Sequence, residues 1–155
     1  MTEWLAALGI RLEILPQLAA LLAAYLLALP IGWDRERNER SAGLRTFPLV
    51  AIATCGFIQA AETVTHGNAE ATARVVEGLI TGMGFIGGGA ILVVKNSVRG
   101  TATAASLWAT GAIGTAVGLG AYGTAIVLAL VTFFTLRVMR TFKSTDKEGD
   151  MRGDG

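Results

Sequence analysis

The apolar positions of this chain fall into long uninterrupted runs rather than into alternation. Residues 16–33, 47–61, 78–94 and 101–136 contain no Asp, Glu, Lys, Arg or His, while the segments between them are short and charged. The first run covers roughly 27 Å as a helix, close to a hydrocarbon core of about 30 Å. The second reaches that length only if Leu44–Thr46 or the region past Glu62 joins it. The fourth would span roughly 54 Å, too much for one crossing, and Gly118, Gly120 and Gly123 mark where it breaks, with Tyr122 at the interface. The pattern predicts an all-α membrane protein with five transmembrane helices, at about 16–33, 44–61, 78–94, 101–118 and 121–137. Ahead of them, Trp4, Leu5, Leu8, Leu12 and Leu15 share one face of a short amphipathic helix over residues 1–15, lying in the interface, with Pro16 opening the next helix. Pro30 should kink the first span or loosen its last turn, and Trp33 fits the interfacial aromatic belt. Residues 138–155 are charged and poor in large apolar side chains, which predicts a disordered tail.

Composition agrees with the pattern: 52% hydrophobic and 16% charged residues are too apolar for an ordinary soluble domain. The position of the charges then sets orientation. With five spans and a cytoplasmic C-terminus, eleven of the thirteen basic residues fall on the cytoplasmic side, all but Arg11 and Arg74. Four spans would put the tail and the arginines of 34–46 on opposite sides. The expected topology is N-terminus outside and C-terminus inside. The single cysteine, Cys55, excludes an internal disulfide and reads as a small buried apolar residue, and His66 reads as exposed.

Candidate chemistry is sparse. Gly82, Gly84 and Gly87 have the spacing of a dinucleotide fingerprint, but no strand precedes them and no acidic residue follows about 20 positions on. Gly78 with Gly82, and Gly84 with Gly88, instead have the four-residue spacing that lets helices approach closely in lipid. Ala102, Ser106, Thr110, Gly114 and Gly118 continue it as a small-residue ridge, expected to pack on that Gly-rich helix. Ser106 and Thr110 could bond across the interface or line a polar path, and Trp108 lies off the ridge as a packing aromatic. No nucleophile and base pair, metal cluster or phosphate loop appears, so an enzyme is not expected, and no cofactor is implied. No ionisable residue sits in mid-span either, where a coupled transporter would usually place one.

The densest charge is Asp34–Thr46, DRERNERSAGLRT, between the first two spans. On a helix, Asp34 faces Arg37 and Asn38, Arg35 faces Glu39, and Glu36 faces Arg40. One reading is a solvated loop that sets topology. Another is that Asp34 and Glu36 hold a hydrated divalent cation, since Mg²⁺ commonly uses one or two carboxylates; the adjacent arginines weaken such a site and suit phosphate or an acidic partner better.

Three segments together resemble the MgtC/SapB family of bacterial inner-membrane proteins: Gly32-Trp-Asp34-Arg35-Glu36-Arg37 leading to Ala42-Gly43-Leu44-Arg45-Thr46; Gly82-Met-Gly84-Phe85-Ile86-Gly87-Gly-Gly89-Ala-Ile91; and Val98-Arg99-Gly100 to Ala104-Ala105-Ser106-Leu107-Trp108. The family's usual Glu is Asp34 here, its usual Leu-Thr after the loop glycine is Thr101-Ala102, and a frequent Ala is Gly88. The resemblance implies a multi-pass protein of the bacterial inner membrane, a five-helix membrane domain, a link to growth under magnesium limitation and, in pathogens, to survival in host cells. Some members are thought to act on other membrane proteins, the ATP synthase among them, and many carry a soluble C-terminal domain; a short form without that domain is expected here.

The residues expected to carry function are therefore Asp34, Arg35, Glu36, Arg45, Thr46, Arg99, Ser106 and Trp108. The expected role is a non-enzymatic membrane regulator that contacts lipid, another membrane protein or a second copy of itself, and not nucleic acid. The alternative is a cation or small-solute channel or transporter with Asp34, Glu36 and Arg45 at its cytoplasmic mouth.

Overall fold

The computed structural model describes residues 14–38, 42–94 and 97–150, so the amphipathic segment expected over residues 1–15 lies almost wholly outside the described residues. Five helices and one hairpin follow in order: α1 (Ile14–Asn38), α2 (Thr46–Thr65), α3 (Ala69–Gly89), β1 (Leu92–Val94), β2 (Ser97–Arg99), α4 (Thr101–Gly118) and α5 (Tyr122–Asp150). Two of them, over Ile14–Arg37 and Thr46–Thr65, are long and apolar enough to cross a membrane.

α4 is the axis of the bundle, in contact with each of the other four helices. Its small and β-branched residues allow that position: Thr103, Thr110, Ile113, Gly114 and Val117 are buried on several sides, which a helix of bulky side chains could not achieve. α1 offers Ala20, Ala24, Ala28 and Ile31, a single face at helical spacing, and turns Leu15, Leu18, Leu22 and Leu26 outward. α5 packs through Ala125 and Ala129 in the same manner. Alanine inside and leucine outside suits a bundle whose outer solvent is hydrocarbon.

Several boundaries differ from the sequence expectation. The third helix was expected over 78–94, yet α3 begins at Ala69 because Asn68 caps it, its Oδ1 accepting from the Ala71 N–H at 3.1 Å, with Glu70 in the first turn. It stops at Gly89, after three consecutive glycines, and Leu92–Val94 leave the helix as a β-strand, pairing antiparallel with Ser97–Arg99 (Leu92 opposite Arg99, Val93 opposite Val98). Gly100 closes this hairpin at φ +86°, where an added Cβ would run into the Ala90 carbonyl oxygen. α1 runs through Pro30 and on to Asn38, so the first half of the charged stretch is helix rather than loop. Where a tail was expected over residues 138–155, α5 continues to Asp150 with no Gly or Pro between Gly123 and Gly149, and residues 151–155 lie outside the described residues. The break between α4 and α5 falls where the glycines place it, with Gly120 at φ +74°.

Candidate functional site

The charged end of α1 folds into a clasp. Its last turns carry Asp34 and Arg35 inward, at 6% and 5% exposure, and Glu36 and Arg37 outward. Removing a guanidinium from water costs several kcal/mol unless hydrogen bonds replace the lost hydration. One such bond runs from Arg35 Nη2 to Thr103 Oγ1 at 3.2 Å, tying the end of α1 to the first turn of α4. Glu36 acts on the other side: its Oε2 accepts the Leu44 N–H at 2.6 Å, so the chain that leaves α1 is folded back over it. That fold requires two glycines. A Cβ on Gly43 would lie 2.6 Å from the Glu36 Cβ, and one on Gly32 would lie 3.2 Å from the Gly43 carbonyl oxygen. The Gly43 carbonyl in turn accepts from the Thr46 and Phe47 N–H groups at 3.0 and 3.1 Å, starting α2.

This geometry separates residues that the sequence grouped together. Asp34 and Glu36 do not converge on a cation: two positions apart on a helix they point roughly 200° from one another, and Glu36 is engaged with the loop. Among the described residues no group of three His, Cys, Asp or Glu side chains could hold a metal ion. Arg37 lies 4.9 Å over the Trp33 ring. Arg45 is exposed and lines a groove between α2 and α3, Thr46 begins α2, and Arg99 is exposed on β2. Thr103 and the Gly32–Gly43 crossing complete the clasp. Thr103 was missed because a threonine in a small-residue run carries no signal until the helix it meets is known.

Ser106 is buried, but its Oγ donates to the Thr103 carbonyl at 3.0 Å, and Thr110 Oγ1 donates to the Ser106 carbonyl at 2.8 Å. Both hydroxyls are turned onto their own helix instead of across to another. Trp108 is half exposed and borders a cavity of about 290 Å³ lined by residues of α3, α4 and α5.

The small-residue ridge meets a partner other than the one expected. An added Cβ at Gly114 would strike Thr54 Oγ1 and the Ala51 carbonyl oxygen, and one at Gly118 would lie 2.7 Å from the Ile58 Cβ, so the ridge packs on α2. On α3 only Gly87 is pressed against α4, 3.3 Å from the Ala104 carbonyl by the same measure; Gly78, Gly82, Gly84 and Gly88 face open space. Gly78 and Gly82 line the apolar groove of about 890 Å³ that α3 forms with α2.

Residues 21–145, which include the clasp, α3, the hairpin and α4, match the MgtC family. This chain belongs to the MgtC family. Within it the chain is 36% identical over 121 residues to Protein MgtC of Salmonella typhimurium, covering 78% of this chain and 51% of that one. It is 38% identical over 135 residues to Protein SrpB of Synechococcus elongatus, covering 79% and 72% respectively. Protein MgtC of Brucella abortus is 38% identical over 120 residues, 77% of this chain and 48% of its own. The chain spans about half the length of the MgtC relatives it matches. No solved structure matches it. MgtC-family membership and two membrane-length helices make this an MgtC-like membrane protein.

Proposed function

We propose that this protein is a non-enzymatic regulator in the bacterial inner membrane, linked to magnesium limitation, that acts by contacting other membrane proteins. In this reading all five helices cross the bilayer, and the clasp and the C-terminus lie on the cytoplasmic side. The observation that carries it is the open face of α3: Gly78 and Gly82 border an apolar groove in which a helix of another protein could approach closely, a mode of contact that lipid favours at small residues. Crosslinking in the membrane followed by co-purification tests it. The expected result is a crosslinked partner that disappears in Gly78→Leu and Gly82→Leu; recovery of monomer alone rejects the regulator. Glu36→Gln and Arg45→Gln should abolish activity while Glu39→Gln is tolerated, and Glu36→Gln should also lower stability, because that carboxylate holds the loop.

The transport reading draws on one feature, the buried polar column Arg35, Thr103, Ser106 and Thr110 inside the bundle. The Ser106 and Thr110 hydroxyls in that column are engaged with backbone carbonyls. Flux of Mg²⁺, K⁺ or protons into proteoliposomes above that of empty vesicles would revive this reading.

A further inference from the structure

A second cleft, of about 560 Å³, opens between α1 and α5 at the charged end of the bundle and lies apart from the α2–α3 groove. Its size is within the range of sites that hold small organic ligands. Its two halves differ in chemistry. Its apolar lining comes from Leu26, Leu29 and Pro30 of α1, Leu44 of the loop and Phe133 of α5, and its cationic lining, nearer the C-terminal ends of both helices, from Arg37 and Arg137. Leu26, Pro30, Trp33 and Arg37 follow at three- and four-residue intervals on one face of α1, and Phe133 and Arg137 do the same on α5, so the apolar-to-cationic gradient is built into both helices. Each guanidinium sits over an aromatic ring, Arg37 over Trp33 at 4.9 Å and Arg137 over Phe133 at 5.9 Å. Asp34 also borders the cleft, so the charged lining is two cations to one anion.

We infer that this cleft binds an anionic phospholipid, its phosphate between Arg37 and Arg137 and an acyl chain along Leu26, Leu29 and Phe133. Charge complementarity selects the headgroup, because guanidinium groups recognise phosphate with paired hydrogen bonds and the net charge of the lining is positive. The wall argues against a transmembrane helix as occupant. Close helix contact in lipid needs small residues, and here the surface is Leu, Trp and Phe, in contrast to the glycine face of α3. A flexible chain fills such a cleft where a helix backbone cannot approach.

The inference rests on the reading of this end of the bundle as lying at the membrane interface. Carbonate extraction of membranes tests that reading by itself: release of the protein would overturn the placement before any lipid is added. The lipid site is then tested on detergent-purified full-length protein by native mass spectrometry with phosphatidylglycerol and phosphatidylcholine of equal chain length. Phosphatidylglycerol should be retained in preference, and the pair Arg37→Gln and Arg137→Gln should weaken its retention about tenfold. Arg74→Gln, at an exposed arginine of α3 remote from the cleft, should leave retention unchanged, and circular dichroism confirms that each variant keeps its helices. Equal retention of the two lipids, an unaltered double variant, or crosslinking of a second copy through the cleft would each overturn the assignment.

Discussion

The glycines of α4 and those of α3 share a four-residue spacing and have opposite surroundings. Gly114 and Gly118 lie against α2 so closely that a single added carbon meets Thr54, Ala51 or Ile58, whereas Gly78 and Gly82 look into an unfilled groove. The first pair is consumed in holding the bundle together. The second leaves a surface on which the same kind of contact has not been made within the chain. Small-residue spacing therefore marks a helix that can be approached closely, and only the positions of the other helices decide whether the approach is internal or left for a partner.

The sharpest break of this contrast is Gly114→Val against Gly78→Val. The first should destabilise the fold by about 3 kcal/mol or more, since the new side chain meets both backbone and a bonded hydroxyl, and the second should leave the melting temperature in detergent, read from tryptophan fluorescence, close to that of the parent. Equal effects would mean that both faces are packed. Next comes Thr103→Val, which removes the acceptor for Arg35 at unchanged shape and should cost about 2 kcal/mol; an unchanged denaturation midpoint would show that the clasp adds nothing to the α1–α4 contact. Gly43→Ala, whose new methyl would lie 2.6 Å from the Glu36 Cβ at this half-buried crossing, should cost a similar amount, about 2 kcal/mol, measured in the same way. Smallest is Gly82→Ala, expected within about 0.5 kcal/mol of the parent and on the stabilising side, because alanine is the better helix former and nothing stands in its way. A clear loss there would place a neighbour on that face.

The helices were legible where the chain had a one-dimensional reason for them. The uncharged runs located α1 and α2, and Gly118 and Gly120 located the break before α5. The hairpin was not legible, because Ile91–Val94 is apolar and largely β-branched and reads equally as the end of a buried helix until Gly100 is seen to require a left-handed turn. The continuation of α5 was hidden by its charge, which signals solvent but does not forbid helix. In the clasp, the motif residues of α1 and the loop were recognised, yet their roles were not. Asp34 and Glu36 looked like a pair because they are near in sequence, and helical geometry parts them; Arg35 and Thr103 looked unrelated because 68 positions separate them.

That last separation bears on how the protein is assembled. Arg35 is synthesised long before Thr103, so the bond between them can form only after α2, α3 and the hairpin have been made and α4 has come to lie beside α1. The bond thus records the completion of the bundle, and a product that ends before Thr101 lacks it however well its first three helices form.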